Sequence, residues 1–516
     1  MTEESRKRRA GGRAGNRTRR GRELIAQMPW RLPRNLDRPV EPLDEAGVQA
    51  IHDGAMRILE EIGVEFLNDE ALDLFRQAGC IVQDTNVRMG RDWVMEMIAK
   101  APSSFTITPR NPERQITIGE DHILFGNVSS PPNYFDLSIG KKVSGTREQC
   151  RDLLRLTQYF NCVHFAGGYP VEPVDIHPAV RHLDVVFDKL TLTDKAMHAY
   201  SLGKERVEDV MEMVKIAGGL SEDQFRSRPH MYTNINSTSP LKHDQPMIDG
   251  CLRCVRRGQA VVVSPFTLAG AMAPVTLAGA LVQQNAEALA GLVISQTTKP
   301  GAPFVYGGFT SNVDMKSGAP AFGTPEAMRT ALIGGQLARR YGLPYRSSNV
   351  NAANTLDAQA AYETVFSLWG AVMGGVNMLK HGLGWMEGGL HTSFEKFVMD
   401  ADILQMVSEF LTPVEVNRDS LALDAMREVG PGGHFFGCAH TQERYRTAFY
   451  PPMVSDWRNY ESWEEAGSPT ACDRTETLYR QILESYEAPP MDASVAEELQ
   501  AFVTRRTEAG GAPTDF

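Results

Sequence analysis

From about residue 146 onward, the chain alternates short apolar stretches with longer helical patterns. This alternation is typical of strand–helix units, in which helices cover a sheet of parallel strands. An eighth strand is expected near "TPVEV" (412–416) or "REVGPGG" (427–433). Eight such units favour a closed (β/α)8 TIM barrel, an α/β fold, over an open doubly wound sheet. The other seven predicted strands are 163–170, 196–203, 230–237, 260–266, 304–311, 345–351 and 376–382.

The sequence divides into four regions around this predicted barrel, which we place at 146–505. Residues 29–145 combine a Pro-rich lead-in, helical patterns and alternating β stretches, and they predict an N-terminal extension and embellishment. Residues 506–516 are predicted to be a C-terminal tail. Residues 1–28 are predicted to be a disordered basic tail, because Gly- and Arg-rich sequence cannot bury an apolar core.

Charge is unevenly distributed along the chain. The first 22 residues carry nine Lys or Arg and two Glu, while the whole chain has a net charge of −11. An acidic body argues against nucleic-acid binding as the function of the whole protein, although the basic tail could act as a nucleic-acid or membrane tether. Seven cysteines do not suggest a disulfide framework, and no apolar run of membrane-spanning length occurs. These features predict a cytoplasmic location.

Most of the predicted strands end in aromatic, amide or small polar residues. In a (β/α)8 barrel the active site lies at the carboxyl ends of the strands. The three asparagines of "YRSSNVNAANTLDAQ" (345–359) are therefore predicted to line the barrel mouth, with structural hydrogen bonds between strand ends as the alternative. The candidates in or just after strand ends are Asn236, Tyr306, Phe309, Arg346, Asn349, Asn351, Asn354 and His381.

Aromatic residues near the strand ends suggest a cationic ligand. Tyr306, Phe309 and Trp385 could present ring faces to a quaternary ammonium ion, whose charge is spread over methyl groups that cannot form hydrogen bonds. Glu387, two residues after Trp385, could add long-range attraction to such a cation. Each aromatic residue taken alone is more typical of a core position, so the hypothesis depends on the group.

A possible metal site lies in "HFFGCAH" (434–440). His434, Cys438 and His440 form a mixed nitrogen and sulfur set of a kind that zinc accepts. The alternative is a loop whose side chains simply pack or form hydrogen bonds.

Several long segments resemble the trimethylamine methyltransferase family. They include "AIHDGAMRILEEIGVEFLNDEALDLFRQAGC" (50–80), "MAPVTLAGALVQQNAEALAG" (272–291), "LARRYGLPYRSSNVNAANTLDAQAAYE" (337–363) and "GWMEGGLHTSFEKFVMDADIL" (384–404). The resemblance implies a (β/α)8 barrel that moves a methyl group from a methylated amine to Co(I) of a separate corrinoid protein. The cobalamin would then belong to that partner, with no tightly bound cofactor in this chain. A homo-oligomer is also implied.

The chain departs from the archaeal members of this family at one position. Those enzymes carry pyrrolysine after the segment that matches "YGLP", and Asn351 aligns best with it here, with Val350 as the alternative. The chain therefore resembles the non-pyrrolysine branch, which demethylates quaternary amines such as glycine betaine. A quaternary nitrogen leaves as a neutral tertiary amine and needs no proton. Asn351 and Glu387 are the expected catalytic residues, acting by positioning rather than by covalent reaction.

The resemblance also suggests how a ligand would sit in the mouth. Trp385, Tyr306 and Phe309 would hold the trimethylammonium head. The amides and basic groups would bind a carboxylate or polar tail; these are Asn236, Asn349, Asn351, Asn354, Arg346 and His381.

Two other functions remain open at this point. One is a zinc-assisted methyltransferase with a different donor, using His434, Cys438 and His440. The other is a non-catalytic paralogue that binds a betaine in the same cage without transferring its methyl group.

Overall fold

The computed structural model describes residues 25–514 of the chain. Eight parallel strands close into a barrel, in which each strand pairs with the next and the last pairs with the first. The predicted (β/α)8 fold is therefore confirmed. In chain order the strands are β1 (Leu124–Asn127), β2 (Phe165–Ala166), β3 (Ala196–Tyr200), β4 (Tyr232–Ile235), β5 (Ala260–Val263), β6 (Phe304–Gly307), β7 (Tyr345–Ser348) and β8 (Met378–Leu383).

Each barrel strand is followed by a covering helix. Most of these helices begin at a Thr, Asp or Ser whose side chain accepts a hydrogen bond from the first turn, which satisfies a backbone N–H that has no partner inside the helix. The helices are α1 (Arg147–Tyr159), α2 (Pro178–Leu192), α3 (Lys204–Gly218), α4 (Gln245–Arg256), α5 (Leu277–Thr298), α6 (Pro325–Arg340), α7 (Ala358–Met373) and α8 (Phe394–Phe410). A short helix, Glu222–Ser227, lies between α3 and β4.

The expected position of the eighth strand was wrong. It is β1, which lies inside the region predicted as an embellishment, so the barrel begins before residue 146. The stretch 412–416 is not a strand, and 427–433 lies at the end of the helix Leu423–Val429. A Cβ on Gly126 would lie 2.0 Å from the Phe165 ring, so this strand needs a glycine, which weakens its apolar pattern.

The amino end of the barrel is closed by a β-hairpin. Its strands, Ser104–Ile107 and Ile116–Gly119, pair antiparallel. Ile107, Ile116 and Ile118 are buried in one apolar cluster with inward side chains of the barrel strands, such as Tyr232 and Met378. The barrel is therefore packed at this end, as is usual for the fold.

The remaining N-terminal elements cover the outside of the barrel near α5. They comprise the helices Glu45–Arg57, Ile58–Ile62 (a π-helix), Asp69–Gln77 and Arg91–Lys100, and the strands Val64–Phe66, Ile81–Gln83 and Asn86–Arg88. In the part of the chain that the structure describes, α5 is the one helix long and apolar enough to cross a membrane, but it is mostly buried within the fold. Its apolar character is that of a core helix.

Short strands decorate the βα loops at the carboxyl end of the barrel. They form one sheet of Leu268–Ala269, Ser311–Val313 and Pro320–Ala321, and another of Asn133–Asp136, Lys141–Ser144 and His391–Thr392. Lys242–His243 instead joins the N-terminal strands.

Both predicted tails are partly folded. Residues 1–24 lie outside the described residues, but the Met28 N–H donates to Gln405 Oε1 at 3.0 Å and its side chain is buried. At the other end, the Ala512 N–H donates to the Ala179 carbonyl at 2.9 Å, and Arg506 forms an ion pair with Asp209 at 2.6 Å. The predicted boundaries at 28 and 505 were therefore wrong, because apolar burial and ion pairing extend beyond them. The last helices of the chain are Leu423–Val429, Ala439–Arg444, Tyr460–Glu465, Ala471–Glu484 and Ala493–Glu508.

Candidate active site

An aromatic cluster lies at the carboxyl end of the barrel. Phe309 follows β6, and its ring centroid is 4.8 Å from that of Phe266 and 5.9 Å from that of Trp385. Phe322 completes the group, with ring centroids 6.0 Å from Phe309 and 6.3 Å from Trp385. The structure thus brings together two of the three predicted cage residues and adds Phe266 and Phe322. Ring faces in such a cluster can hold a methylated cation.

A layer of basic side chains lies beneath the aromatic cluster. Arg346 on β7 and Lys380 on β8 point into the barrel and are buried, with Arg346 only 2% exposed. The Arg346 guanidinium stacks on Phe309, and its Nη1 lies 3.4 Å from the Gly308 carbonyl. Lys380 Nζ lies 3.5 Å from Asn234 Oδ1. Within residues 25–514, no carboxylate forms an ion pair with either cation.

Burial strongly lowers the pKa values of these basic groups. Desolvation lowers the pKa of Arg346 to about 10 and that of Lys380 well below its usual value, and the Arg346 charge lowers the Lys380 pKa further. Burial also lowers the pKa values of His198 and His381, with smaller contributions from Lys380 and, for His381, from Arg346. Both imidazoles are therefore neutral near pH 7. Strongly shifted pKa values among neighbouring buried groups are typical of a functional site.

Several buried polar atoms around this layer have no hydrogen-bond partner among the described residues. Such atoms are rare in folded proteins, so a cluster of them indicates a place for a polar ligand or water. They are both ring nitrogens of His198, Arg346 Nε, Ser348 Oγ, His381 Nδ1 and Trp385 Nε1.

The backbone around His381 is irregular. The register of β8 against β1 shifts between Leu379 and Leu383, and His381 has a φ of +57°, a conformation that non-glycine residues seldom adopt. This conformation places its ring centroid 4.3 Å from that of Trp385. Strain of this kind is concentrated at functional sites.

An amide pair connects β4 to the basic layer. Asn236 Oδ1 accepts a hydrogen bond from Asn234 Nδ2 at 2.9 Å, and Asn234 Oδ1 accepts one from Ser264 Oγ at 3.2 Å. Asn236, a predicted site residue, is therefore linked to Lys380 through Asn234. Asn234 ends a predicted strand but was not among the predicted site residues, and neither were Lys380 and His198. Their alternation with buried apolar residues along β3, β4 and β8 is the pattern that could have identified them as inward-facing.

Tyr306 and Asn354 do not join the cluster. The Tyr306 hydroxyl donates to Asn285 Oδ1 on α5 at 3.0 Å, and its ring lies near Tyr341 on α6. It therefore faces the helices outside the barrel. Asn354 is exposed in the loop before α7. We leave both residues out of the site.

Asn349 and Asn351 face outward from β7 and the turn after it. Asn349 Nδ2 donates to the Gly382 carbonyl at 3.0 Å. Asn351 Nδ2 donates to the Ala360 carbonyl and to Thr364 Oγ1, both at 3.1 Å. These contacts agree with the structural alternative, in which the asparagines bridge neighbouring elements. The amide of Asn351 is occupied by α7, and we assign it no catalytic role.

Glu387 lies at the rim of the mouth rather than inside it. Its carboxylate pairs with Lys142 Nζ at 2.6 Å and lies 3.6 Å from His391 Nε2. The pairing with Lys142 offsets its charge, which weakens the predicted attraction to a bound cation.

His434, Cys438 and His440 do not form a ligand cluster. Cys438 Sγ contacts the Phe435 carbonyl at 3.2 Å and Thr441 Oγ1 at 3.4 Å, and the His434 ring lies near Phe436. Across residues 25–514, no group of three or more His, Cys, Asp or Glu side chains is arranged to hold a metal ion. The zinc hypothesis therefore lacks a ligand set in this part of the chain.

Comparison with known proteins agrees with these observations. The trimethylamine methyltransferase (MTTB) family model matches residues 9–511. A glycine betaine methyltransferase of Desulfitobacterium hafniense (strain Y51) is 36% identical over 470 residues, covering 91% of this chain and 98% of the relative. Trimethylamine methyltransferase MttB of D. hafniense (strain DSM 10664 / DCB-2) is 30% identical, covering 90% and 93%. MttB1 of Methanosarcina mazei is 29% identical, covering 90% and 94%.

Proposed function

Because the chain belongs to the trimethylamine methyltransferase family, we propose that it transfers a methyl group from a carboxylated quaternary amine, a betaine, to the corrinoid of a separate protein. One observation carries the choice of substrate. Two buried basic side chains without a carboxylate partner in the described chain, Arg346 and Lys380, lie beneath an aromatic cluster at the barrel mouth. A zwitterion with a methylated cationic head and an anionic tail complements both layers.

The aromatic cluster would hold the trimethylammonium head. Phe309 and Trp385 meet nearly edge to face, at 67°, and Phe322 meets Trp385 at 87°. In an edge-to-face pair the edge of one ring meets the face of the other, and a desolvated cation on a free ring face gains about 2 kcal/mol per good contact. A trimethylammonium group needs no hydrogen-bond acceptor, so the apolar lining suits it.

The basic layer would hold the carboxylate tail. Arg346 Nε has no hydrogen-bond partner among the described residues, and a guanidinium can bind a carboxylate through two parallel hydrogen bonds. The lowered pKa of Lys380 means that its charged form is costly without an anion, and a bound carboxylate would offset that cost. Choline and trimethylamine carry no carboxylate. They would bring a further positive charge close to Arg346 without compensation.

The chemistry requires positioning more than acid–base catalysis. When the C–N bond breaks, nitrogen keeps the bonding electron pair and leaves as a neutral tertiary amine, so no proton has to be delivered to it. The reduced corrinoid of the partner supplies the electron pair for the new bond to the methyl carbon. Alignment of the two reactants can contribute roughly 7–11 kcal/mol. This account requires no catalytic role for Asn351, whose amide donates a structural hydrogen bond to the Ala360 carbonyl on α7.

The barrel mouth also has features that suit a docking protein. Exposed apolar side chains lie on five of the βα loops around it: Ile139, Val174, Val275, Met315 and Leu390. Apolar residues around an opening are typical of interaction surfaces. A corrinoid protein that met this rim would bring its cofactor to the aromatic cluster.

Methyl transfer to reduced cobalamin tests the proposal. The purified chain would be mixed with reduced cobalamin, or with a reduced corrinoid protein, and with glycine betaine, choline, tetramethylammonium or trimethylamine, while the absorbance of the corrinoid is followed. We expect methylation with glycine betaine and little with the other three. Methylation by choline or trimethylamine at a similar rate would contradict the role of the basic layer. Calorimetric binding of glycine betaine without transfer to either acceptor would favour the non-catalytic paralogue.

A further inference from the structure

A buried carboxylate on α7 has no cationic partner in the described part of the chain. Glu363 is only 4% exposed. Its Oε2 accepts hydrogen bonds from the backbone N–H groups of Ala352 and Ala353, at 2.8 and 2.9 Å. Its Oε1 accepts one from Gln359 Nε2 at 2.8 Å. These three neutral donors satisfy the carboxylate without cancelling its charge.

The Glu363 side chain lies against the segments that carry the aromatic cluster. Ala352, whose N–H it binds, packs against the apolar group that contains Phe322 and Trp385. A Cβ on Gly323 would lie 2.5 Å from the Cβ and Cγ atoms of Glu363, so the residue after Phe322 lies directly on this side chain. The carboxylate is therefore separated from the rings by a single layer of backbone.

The other charges in this region balance one another. Lys396 and Asp400, both buried on α8, form an ion pair. Burial lowers the pKa of Lys396, and the charges of Asp400 and Glu363 act against this shift. At the rim, Glu387 pairs with Lys142 at 2.6 Å. Glu363 thus leaves one negative charge behind the cluster without a matching positive charge.

We propose that the charge of Glu363 makes the aromatic cluster select a cationic head over a neutral head of the same shape. This is the attraction that the sequence suggested for Glu387. The inference rests on the proposed function, because it takes the cluster as the site of a methylated ammonium group. Glu363 would act without touching the ligand, as a residue that determines specificity rather than as a catalytic residue.

Ring faces and a fixed anion discriminate in different ways. An aromatic cluster also binds a tert-butyl group, because burial of methyl groups is favourable whether or not the head is charged. A buried anion attracts the charged head alone. We expect this attraction to contribute about 10-fold in affinity, as between unit charges about 12 Å apart at an effective dielectric constant of about 20.

A pair of ligands that differ only in the head charge tests this proposal. Glycine betaine would be compared with 3,3-dimethylbutanoate, in which a carbon atom replaces the nitrogen. Calorimetry would give both dissociation constants, and the charge preference is the constant of the neutral-head ligand divided by that of the betaine. This ratio cancels any effect of a substitution on the carboxylate tail or on packing, since both ligands share the tail and the shape.

Two variants remove or offset the charge. Glu363→Gln removes it and can keep the bonds to the backbone through its amide oxygen. Gln359→Lys leaves Glu363 in place and adds a cation one helical turn away, at an exposed position that should not disturb folding. We expect the charge preference to fall about 10-fold in Glu363→Gln and by a smaller factor in Gln359→Lys. The control is Gln359→Met, which loses a hydrogen bond but no charge and should keep the wild-type preference.

An unchanged charge preference in a folded Glu363→Gln protein would overturn the proposal, even if both affinities fell, because a purely structural support weakens both ligands alike. If that variant does not fold, an unchanged preference in Gln359→Lys has the same meaning. Failure of the proposed function looks different, since wild-type protein would then not bind glycine betaine. Choline and 3,3-dimethylbutan-1-ol form a second matched pair for that case. A wild-type protein that shows no charge preference with either pair would also overturn the role of Glu363.

Discussion

The guanidinium carbon of Arg346 lies 5.0 Å from the ring centroid of Phe309. The same ring belongs to the aromatic cluster at the mouth, so the proposed sites for the cationic head and the anionic tail share one side chain. The two charges of a bound zwitterion must therefore be close together. Arg346 itself is held by stacking rather than by an ion pair in the described part of the chain, which leaves its donors available.

This closeness predicts a preference for short betaines. Glycine betaine, with one carbon between ammonium and carboxylate, should show a higher kcat/KM than γ-butyrobetaine, with three. Each misplaced hydrogen bond to a charged group costs about 1.5–3 kcal/mol, or roughly 10- to 150-fold. Initial rates with both compounds would measure the ratio. A preference for the longer compound would show that the head or the tail lies elsewhere.

Loss of the Arg346 charge should mainly weaken substrate binding. In Arg346→Met, we expect KM for glycine betaine to rise by at least about 30-fold, because a buried carboxylate loses its partner at a cost of roughly 2–5 kcal/mol. Arg340→Met is the matched control, since Arg340 lies on the outside of α6 and bonds Gln49. An unchanged KM in a folded Arg346→Met protein would remove Arg346 from the site.

Binding of the cationic head by the aromatic cluster should depend on the ring face of Trp385. In Trp385→Ala, we expect KM to rise by about 10- to 100-fold through loss of cation–π attraction and packing, whereas Trp385→Phe should retain most of the affinity. Trp457→Ala provides a control at an exposed tryptophan. Similar effects of the Ala and Phe changes would mean that Trp385 acts through its N–H or its size rather than through its ring face.

Affinity for a betaine should fall as pH rises through the titration of Lys380. Burial lowers the pKa of Lys380 in the free protein, and a bound carboxylate would raise it again, so binding takes up a proton between the two pKa values. The protonated form binds more tightly, and this advantage is lost as pH increases through that window. Calorimetry between about pH 6 and pH 9, in buffers with different ionisation enthalpies, would detect the proton uptake.

Lys380→Met provides the control for this pH dependence. The variant should bind more weakly at pH 6 and lose most of the slope. An affinity that increases with pH in the wild type would contradict the assignment.

Asn351 and its neighbours should matter for stability rather than for substrate affinity. Asn351 bonds Thr364, and Thr364 bonds both Lys396 and Asp400, which form a buried ion pair. Lys396→Met would leave Asp400 unpaired, and we expect unfolding to become easier by about 3–5 kcal/mol. Asn351→Ala should cost about 1–3 kcal/mol with KM unchanged. Denaturant unfolding and initial rates would separate the two effects; a large rise in KM for a stable Asn351→Ala protein would restore a direct role.

The period of the strands explains which site residues could be predicted. Along β6, Val305 packs in the barrel core and the next residue, Tyr306, points outward to α5, so a shift of one residue along a strand separates an inward-facing side chain from an outward-facing one. Along β7, Arg346 points inward, and Asn349 and Asn351 point outward. The residue types at the strand ends indicated where the site lies. Which of these side chains face into the barrel and which face out of it was not predicted.

Other features depend on contacts that the local sequence does not contain. The side-chain partners of Asn351 lie on α7, and one of them, Thr364, bonds Asp400 on α8, so its structural role follows only from the tertiary fold. The strand β1 was missed because its Gly126 gives room to Phe165 on the next strand. The repeated strand–helix pattern, in contrast, was sufficient to predict the closed barrel, since it extends over most of the chain.

The hairpin packs against the inward side chains at the amino end of the barrel, so the interior is reached from the carboxyl end. Under the proposed function, substrate would enter and demethylated amine would leave through the opening that the corrinoid protein would also cover. A docked partner would block this opening, and each turnover would require its departure. The amine would then bind first and the partner second, and the amine product would leave only after the partner.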